Sequence, residues 1–285
     1  MSALHARPAR LEDAASLHAW LGQQPGPHAF LTGWLLHHGV TPSASLQFGF
    51  YLASDDAEVR GVALVAGARV VCVGAMEEES AREIGVALAP RAPSPEVVVG
   101  SAEAVRGVWY GVCGAREPRR CITQRLFELG PERPLVAPTG VRVGFASTRD
   151  APEIIAAAQS MAETDAGHAL SARDARGLAN TVLKKIAEER VWCALDAEGR
   201  VIFKASLARS ARACARLEGV WVHPDARGRG VATQALSSVC AALLERHGLI
   251  SLYADVSNEP ATRLYRRVGF RPTLSYETRF GGRAA

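Results

Sequence analysis

The sequence predicts an α/β (α+β) protein built as two mixed-sheet domains in tandem. Three observations carry that reading. The chain has 285 residues, enough for about two domains. Strand-like and helix-like runs alternate along it instead of segregating. The alternation also starts twice, on either side of GPERPLVAPTG at 130–140, where three prolines and two glycines fall within eleven residues. The predicted domains are 1–135 and 136–285.

The first half reads in order as follows. RLEDAASLHAWLG spaces Leu11, Ala14, Ala15, Leu17 and Leu21 as a helix face, and Gly22 and the prolines Pro25 and Pro27 stop it. A second helix is expected near HAFLTGWLLHHG, ending at Gly39. LQFGFYLAS, VRGVALVAG and ARVVCVGAM are three strands. ESAREIGVAL is a helix, EVVVG a short buried strand, and SAEAVRGVWYGV a helix capped by Ser101. ITQRLFEL is a candidate closing strand.

The second half opens with the strand VRVGFAS. The helix RDAPEIIAAAQSMAE follows, with Asp150 as N-cap and Pro152 in its first turn. SARDARGLANTVLKKIAEE is a second helix, and RVWCALDAEGRVIFKASLA a hairpin turning at AEGR. The strand ARLEGVWVHP leads to the helix RGVATQALSSVCAALLERHG, which runs to His247 and Gly248. Then come the strand LISLYADV, the helix EPATRLYRRVG and the strand RPTLSYETRF.

Bulk properties narrow the function classes. The composition is globular, 48% hydrophobic and 22% charged. No run approaches the roughly 20 apolar residues of a membrane span, and the N-terminus lacks a signal pattern, so a cytoplasmic protein without membrane attachment is expected. The six cysteines are scattered without a CxxC pair, which argues against a metal site or disulfide framework. The net charge of +4 divides as −2 over residues 1–140 and +6 over 141–285. A mildly basic second half suits an anionic ligand. It carries no basic–aromatic stripe, so nucleic acid is not an expected partner.

The most informative stretch is VHPDARGRGVATQAL, residues 222–236. Two arginines alternate with two glycines between a strand and a helix. A helix N-terminus has unpaired N–H groups and partial positive charge. Glycine lets that backbone approach a bulky anion, and arginine adds forked donors. The chemistry fits a pyrophosphate; an Arg/Gly surface turn that binds nothing is the alternative.

Arg227, Gly230 and Ala232 fit R-x-x-G-x-[GA], and NEPATRLYRRVGF supplies an Asn, a helix with Tyr, and Gly-Phe before the last strand. These two motifs, in this order, resemble those of the GNAT (GCN5-related) N-acetyltransferase superfamily. The resemblance covers residues 141–285 and implies a complete acyl-CoA N-acyltransferase fold there. The first half has no such motif and is expected to be a GNAT-like domain without a cofactor site. The whole chain is similar to bacterial proteins that fuse an uncharacterised N-terminal domain to a C-terminal GNAT domain.

The resemblance implies acetyl-CoA as co-substrate and no metal. Val220, Trp221 and Val222 would pair with the pantetheine arm. The N–H groups of Gly228, Arg229, Gly230, Val231, Ala232 and Thr233, with Arg227, would hold the pyrophosphate. Asn258 and Tyr265 would lie near the thioester end, with Tyr265 as the acid that protonates the thiolate. Glu218 is the first candidate for the base that deprotonates the amine; Asp255 and His168 are the others. Some relatives carry an acid at the position of Tyr253, and this chain does not. The resemblance places the acceptor pocket at the first two helices and their loop, about Met161 to Asp174, together with the last strands; Glu163, Asp165 and Asp174 of that loop suit a cationic amine but are also ordinary surface.

The expected activity is acetyl transfer to a primary amine of a small molecule, amino acid or peptide. The competing class is a non-catalytic acyl-CoA sensor. Monomer and homodimer both remain open.

Overall fold

The computed structural model describes residues 4–40, 48–55, 58–67, 69–132 and 140–281. Its first half runs β1 (His5–Pro8), a 3-10 turn (Leu11–Asp13), α1 (Ala14–Gly22), α2 (Pro25–His38), β2 (Phe48–Ser54), β3 (Val59–Ala66), β4 (Val70–Val73), α3 (Glu78–Leu88), β5 (Val97–Ser101), α4 (Ala102–Cys113) and β6 (Arg120–Leu129). The second half repeats the order as β7 (Gly144–Phe145), α5 (Ala151–Ala166), α6 (Ala172–Ala187), β8 (Val191–Leu195), β9 (Val201–Leu207), β10 (Ala215–Val222), α7 (Val231–Leu244), β11 (Ile250–Asp255), α8 (Glu259–Val268) and β12 (Arg271–Phe280). The predicted boundary between 135 and 136 lies outside the described residues.

Local chemistry moves several element ends. α2 starts at Pro25, three residues before the expected run, because a proline in the first turn brings its own helical φ and needs no N–H partner. Ser101 sits at the N-cap of α4 but does not cap it: its hydroxyl donates to Gly74 O at 3.4 Å. Asp150 likewise spends its carboxylate on Ser147 N and Oγ. α7 ends at Leu244, before His247, whose Nδ1 lies 2.8 Å from Ala211 O. β1 escapes the sequence reading because four residues carry too little periodicity.

The described strands form one sheet in the order β1-β2-β3-β4-β5-β12-β6-β11-β10-β9-β8-β7. If each strand is replaced by its counterpart in the other half, the order reads the same backwards. A pseudo-twofold axis therefore passes between β6 and β12. Each half sends its last strand across that axis: β12 pairs with β5, β6 pairs with β11, and the two pair antiparallel from Arg271↔Glu128 to Phe280↔Arg120. ITQRLFEL thus does not close the sheet of the first half but lies at the sheet centre. Alternation shows that a run is a strand; it does not show which ladder the run joins.

Helices cover both faces. In the first half Phe48, Phe50, Leu52, Val62 and Leu64 face α1 and α2, while the intervening Tyr51, Ala53, Ala63 and Val65 face α3 and α4. In the second half Phe203, Leu217, Ile250 and Leu252 pack with α7 and α8, and Val191, Cys193 and Val201 pack with α5 and α6. α3 and α4 meet along a glycine seam. A Cβ at Gly85, Gly107 or Gly111 would collide with a carbonyl of the opposite helix (Val108, Glu78 and Arg82 in turn). No room for a ligand remains between these helices.

His28 ties α2 to the loop after β4. Its ring stacks on Trp20 at 4.4 Å, Nδ1 lies 3.0 Å from Leu21 O, and Nε2 lies 3.0 Å from Ala75 N. A carbonyl only accepts and an amide N–H only donates, so these partners select the neutral Nδ1–H tautomer. Burial outweighs both bonds and lowers the pKa below 6.5. Protonation is therefore more costly folded than unfolded. The stability this group contributes is present above 6.5 and is lost as pH falls through the lower folded value. Urea melts from about pH 7.5 to about pH 5 should show this loss in the wild type. The slope should shrink in His28→Gln, and an equal slope in both proteins would exclude His28 as its source.

Candidate functional site

β10 and β11 are parallel but pair only at Ala215↔Ile250 and Arg216↔Ser251. β10 then continues to Val222 and β11 to Asp255 without further pairing, so a cleft opens between their C-terminal ends. β10 is also bulged against β9 between Glu218 and Trp221, with Gly219 at φ +59°. Lys204 of β9 braces the bulge, its Nζ donating to Gly219 O at 3.0 Å. Burial pushes this ammonium down to about 8. The counterpart strands β4 and β5 stay paired to Cys72↔Val99, and a Cβ on Gly100 would collide with the Val73 carbonyl. The first half has no such opening.

The cleft ends at the Arg/Gly loop. A 3-10 turn, Pro224–Ala226, precedes Arg227, whose Nε donates to the Val222 carbonyl at 3.2 Å. Gly228 and Gly230 adopt φ +71° and +80°, the left-handed region that disfavours any side chain with a Cβ. α7 starts at Val231. No backbone N–H from Gly228 to Thr233 donates to a protein acceptor among the described residues. A Cβ added at Gly228 would meet nothing within 4 Å, and one at Gly230 only Gln234 Nε2 at 3.8 Å. This open cradle of N–H groups at a helix N-terminus fits the pyrophosphate of a coenzyme A molecule. Val220 and Val222 pack toward the α7 side of the sheet and Trp221 toward α5 and α6, as the bulge dictates.

Asn258 is the N-cap of α8, its Oδ1 accepting from Ala261 N at 3.1 Å. Tyr265 lies seven residues further along α8, about 10 Å back toward the sheet centre. Its ring packs edge-on against Phe127 and Phe270. Burial raises its pKa far above the ordinary phenol range, with no hydrogen bond among the described residues acting on it. The group therefore carries its proton at neutral pH, as an acid must.

Glu218 projects to the other face, where it pairs with Lys185 of α6. The remaining candidates are engaged locally. Asp255 Oδ1 accepts from Ser257 N and Oγ, Glu163 accepts from Leu170 N, and Asp174 bonds Ser171. His168 is exposed, with Nδ1 2.9 Å from Ala169 O. Asp165 is raised by burial, opposed by the Arg120 guanidinium. Arg120 belongs to β6 and donates to the Asp165 carbonyl, so the first half reaches the α5–α6 loop.

Sequence reasoning missed Arg120, Lys204 and Arg216. A charged residue inside the apolar runs VIFKASL and ARLEGVWV was the available signal, because a period of two places it on a covered face.

Residues 113–270, more than half of the chain, match the Acetyltransferase (GNAT) family. The chain belongs to the GNAT acetyltransferase family. The matched stretch includes β6, the strand that joins the second half's ladder. Solved GNAT structures share the fold over nearly the whole chain. A tandem GNAT protein from the clavulanic acid biosynthesis pathway is 15% identical with a TM-score of 0.57, covering 99% of this chain and 100% of that one. A GCN5-related N-acetyltransferase from Sphaerobacter thermophilus is 16% identical with a TM-score of 0.62, covering 98% and 97%. An acetyltransferase of the GNAT family from Colwellia psychrerythraea is 12% identical with a TM-score of 0.57, covering 97% and 99%. No match is found among curated proteins. These likenesses show that the GNAT chain has the tandem fold. Among its described residues no helix is long and apolar enough to cross a membrane.

Proposed function

We propose that this GNAT protein transfers an acetyl group from acetyl-CoA to a primary amine, using one site per chain. The observation that carries the reading is the cleft between β10 and β11, which ends on a row of N–H groups without protein acceptors among the described residues at the start of α7. The loop from Arg227 to Thr233 holds the pyrophosphate, and Val220 to Val222 offer backbone to the pantetheine arm. An ammonium has no lone pair, so the acceptor first loses a proton. Glu218 takes it, through water, since Lys185 occupies one side of the carboxylate. The amine nitrogen then bonds to the thioester carbon, the C–S bond breaks, Tyr265 gives its proton to the departing thiolate, and the second proton the nitrogen sheds on becoming an amide passes through water to restore the Tyr265 hydroxyl. Glu218 and Tyr265 approach from opposite faces of the sheet, which keeps base and acid apart.

The first half supplies no second site in this reading. Its strand pair stays closed and its helices share the glycine seam. Glu77, Glu78 and Glu79 stand at the start of α3, where carboxylates take the favourable positive end and repel a polyanion. Calorimetric titration of acetyl-CoA is expected to give a stoichiometry near one. A value near two would sink the one-site reading. Free-thiol release during an acceptor screen tests transfer itself; thioester binding without release toward any amine would favour the sensor.

A further inference from the structure

We propose that the acceptor is a free amino acid whose carboxylate is held by Arg216, in a pocket that both halves build behind the cleft. The inference rests on the transfer reading above and narrows its acceptor.

Arg216 is the last residue of β10 paired with β11, so it stands at the apex of the opening. It lies two residues before Glu218, about 7 Å along the strand and on the same face. Its side chain is 4% exposed, and Nη1 is fully buried with no hydrogen-bond partner among the described residues. Among the described residues no carboxylate lies within ion-pair distance of the guanidinium: Glu218 pairs with Lys185 and acts on Arg216 only from further off, and the group hydrogen-bonded to Arg216 is the neutral Tyr276 side chain. The guanidinium instead rests over the Tyr253 ring at 4.2 Å and near that of Tyr276 at 5.9 Å. These two rings stack on each other at 5.3 Å, and the Tyr276 hydroxyl donates to Pro27 O on α2 of the first half. Tyr253 is 36% exposed and forms the open wall.

Burying a cation without a counter-ion costs stability, and ring faces offset only part of that cost. A planar fork of donors matches a carboxylate, which can accept two parallel bonds. The surrounding charge favours the same ligand. Arg216, Lys204 and Lys185 face this side of the sheet against Glu218 and Glu128, and burial raises the pKa of Glu128, so the balance favours an anion over a polycation. The acids of the α5–α6 loop do not reverse this, because Glu163 and Asp174 are spent on their own loop. A ligand with its carboxylate on Arg216 and its amine toward Glu218 spans the distance of one amino acid. The first half then has a role in the site without a cofactor of its own: α2 forms part of the pocket wall.

The test uses matched pairs, each common α-amino acid against its α-amide, on the full chain. Calorimetry reads binding and thiol release reads transfer. At least one amino acid should bind and react at least tenfold better than its amide, a difference of about 1.4 kcal/mol. Arg216→Met should erase that preference while acetyl-CoA affinity stays unchanged. Its melting temperature should hold or rise, because an unpaired buried charge is replaced by an apolar chain of similar length. The absence of any such preference in the wild type would overturn the proposal, as would its survival in Arg216→Met. A fall in melting temperature would assign Arg216 a structural role instead. If carboxylate binding depends on Arg216 but acetyl-CoA does not bind, the transfer reading fails and the anion pocket stands.

Discussion

Gly230→Val is expected to abolish acetyl-CoA binding and leave the domain folded. Two separate effects act at this residue. Gly230 has φ +80°, and a β-branched residue held in that region costs about 1–2 kcal/mol. That is a minor part of the roughly 5–15 kcal/mol that holds a domain together. The added side chain also points into open space, with Gln234 Nε2 at 3.8 Å as its near neighbour, so it meets no protein wall. The open space is where the pyrophosphate would sit against the N–H row. Affinity should fall at least a hundredfold, about 2.7 kcal/mol. Calorimetry on the variant checks this, with circular dichroism to confirm the fold. Unchanged affinity would remove the loop from the cofactor site.

Tyr265→Phe is expected to lower kcat by about 10²–10⁴-fold and leave acetyl-CoA binding intact. Phenylalanine keeps the packing against Phe127 and Phe270, and the lost hydroxyl has no partner among the described residues to leave unsatisfied. The variant should therefore be as stable as the wild type. The burial that raises the Tyr265 pKa weakens it as an acid, but the same dry surroundings raise the proton affinity of a departing thiolate. Steady-state kinetics separate the two terms. An unaffected kcat would reduce Tyr265 to a packing residue.

The strand, glycine loop and helix of the second half were legible because each depends on neighbours in sequence. The φ of Gly228 and Gly230 and the start of α7 are local properties of a few residues. Glu218 was legible as an acid on the strand before the glycine loop. Its ion pair with Lys185 was not, because the two residues meet only when α6 folds onto β10. Ser101 shows the same limit on a small scale: its cap position was readable, but a tertiary partner, the Gly74 carbonyl, took its side chain.

The sequence alone determined the two-part α/β plan, the GNAT motifs and the half of the chain that carries them. Hydrophobic period, turn chemistry and helix-end electrostatics act over a few residues and leave their mark in residue order. Tertiary structure alone decided that β6 and β12 cross between the halves, that β10 parts from β11 after two pairs while β4 and β5 stay closed, and that Arg216 is buried with its Nη1 unpartnered among the described residues. Those outcomes depend on which distant segment occupies each ladder position and each volume of the interior. Strand pairing is selected by the packing of whole faces, and burial of a charge is a property of everything around it.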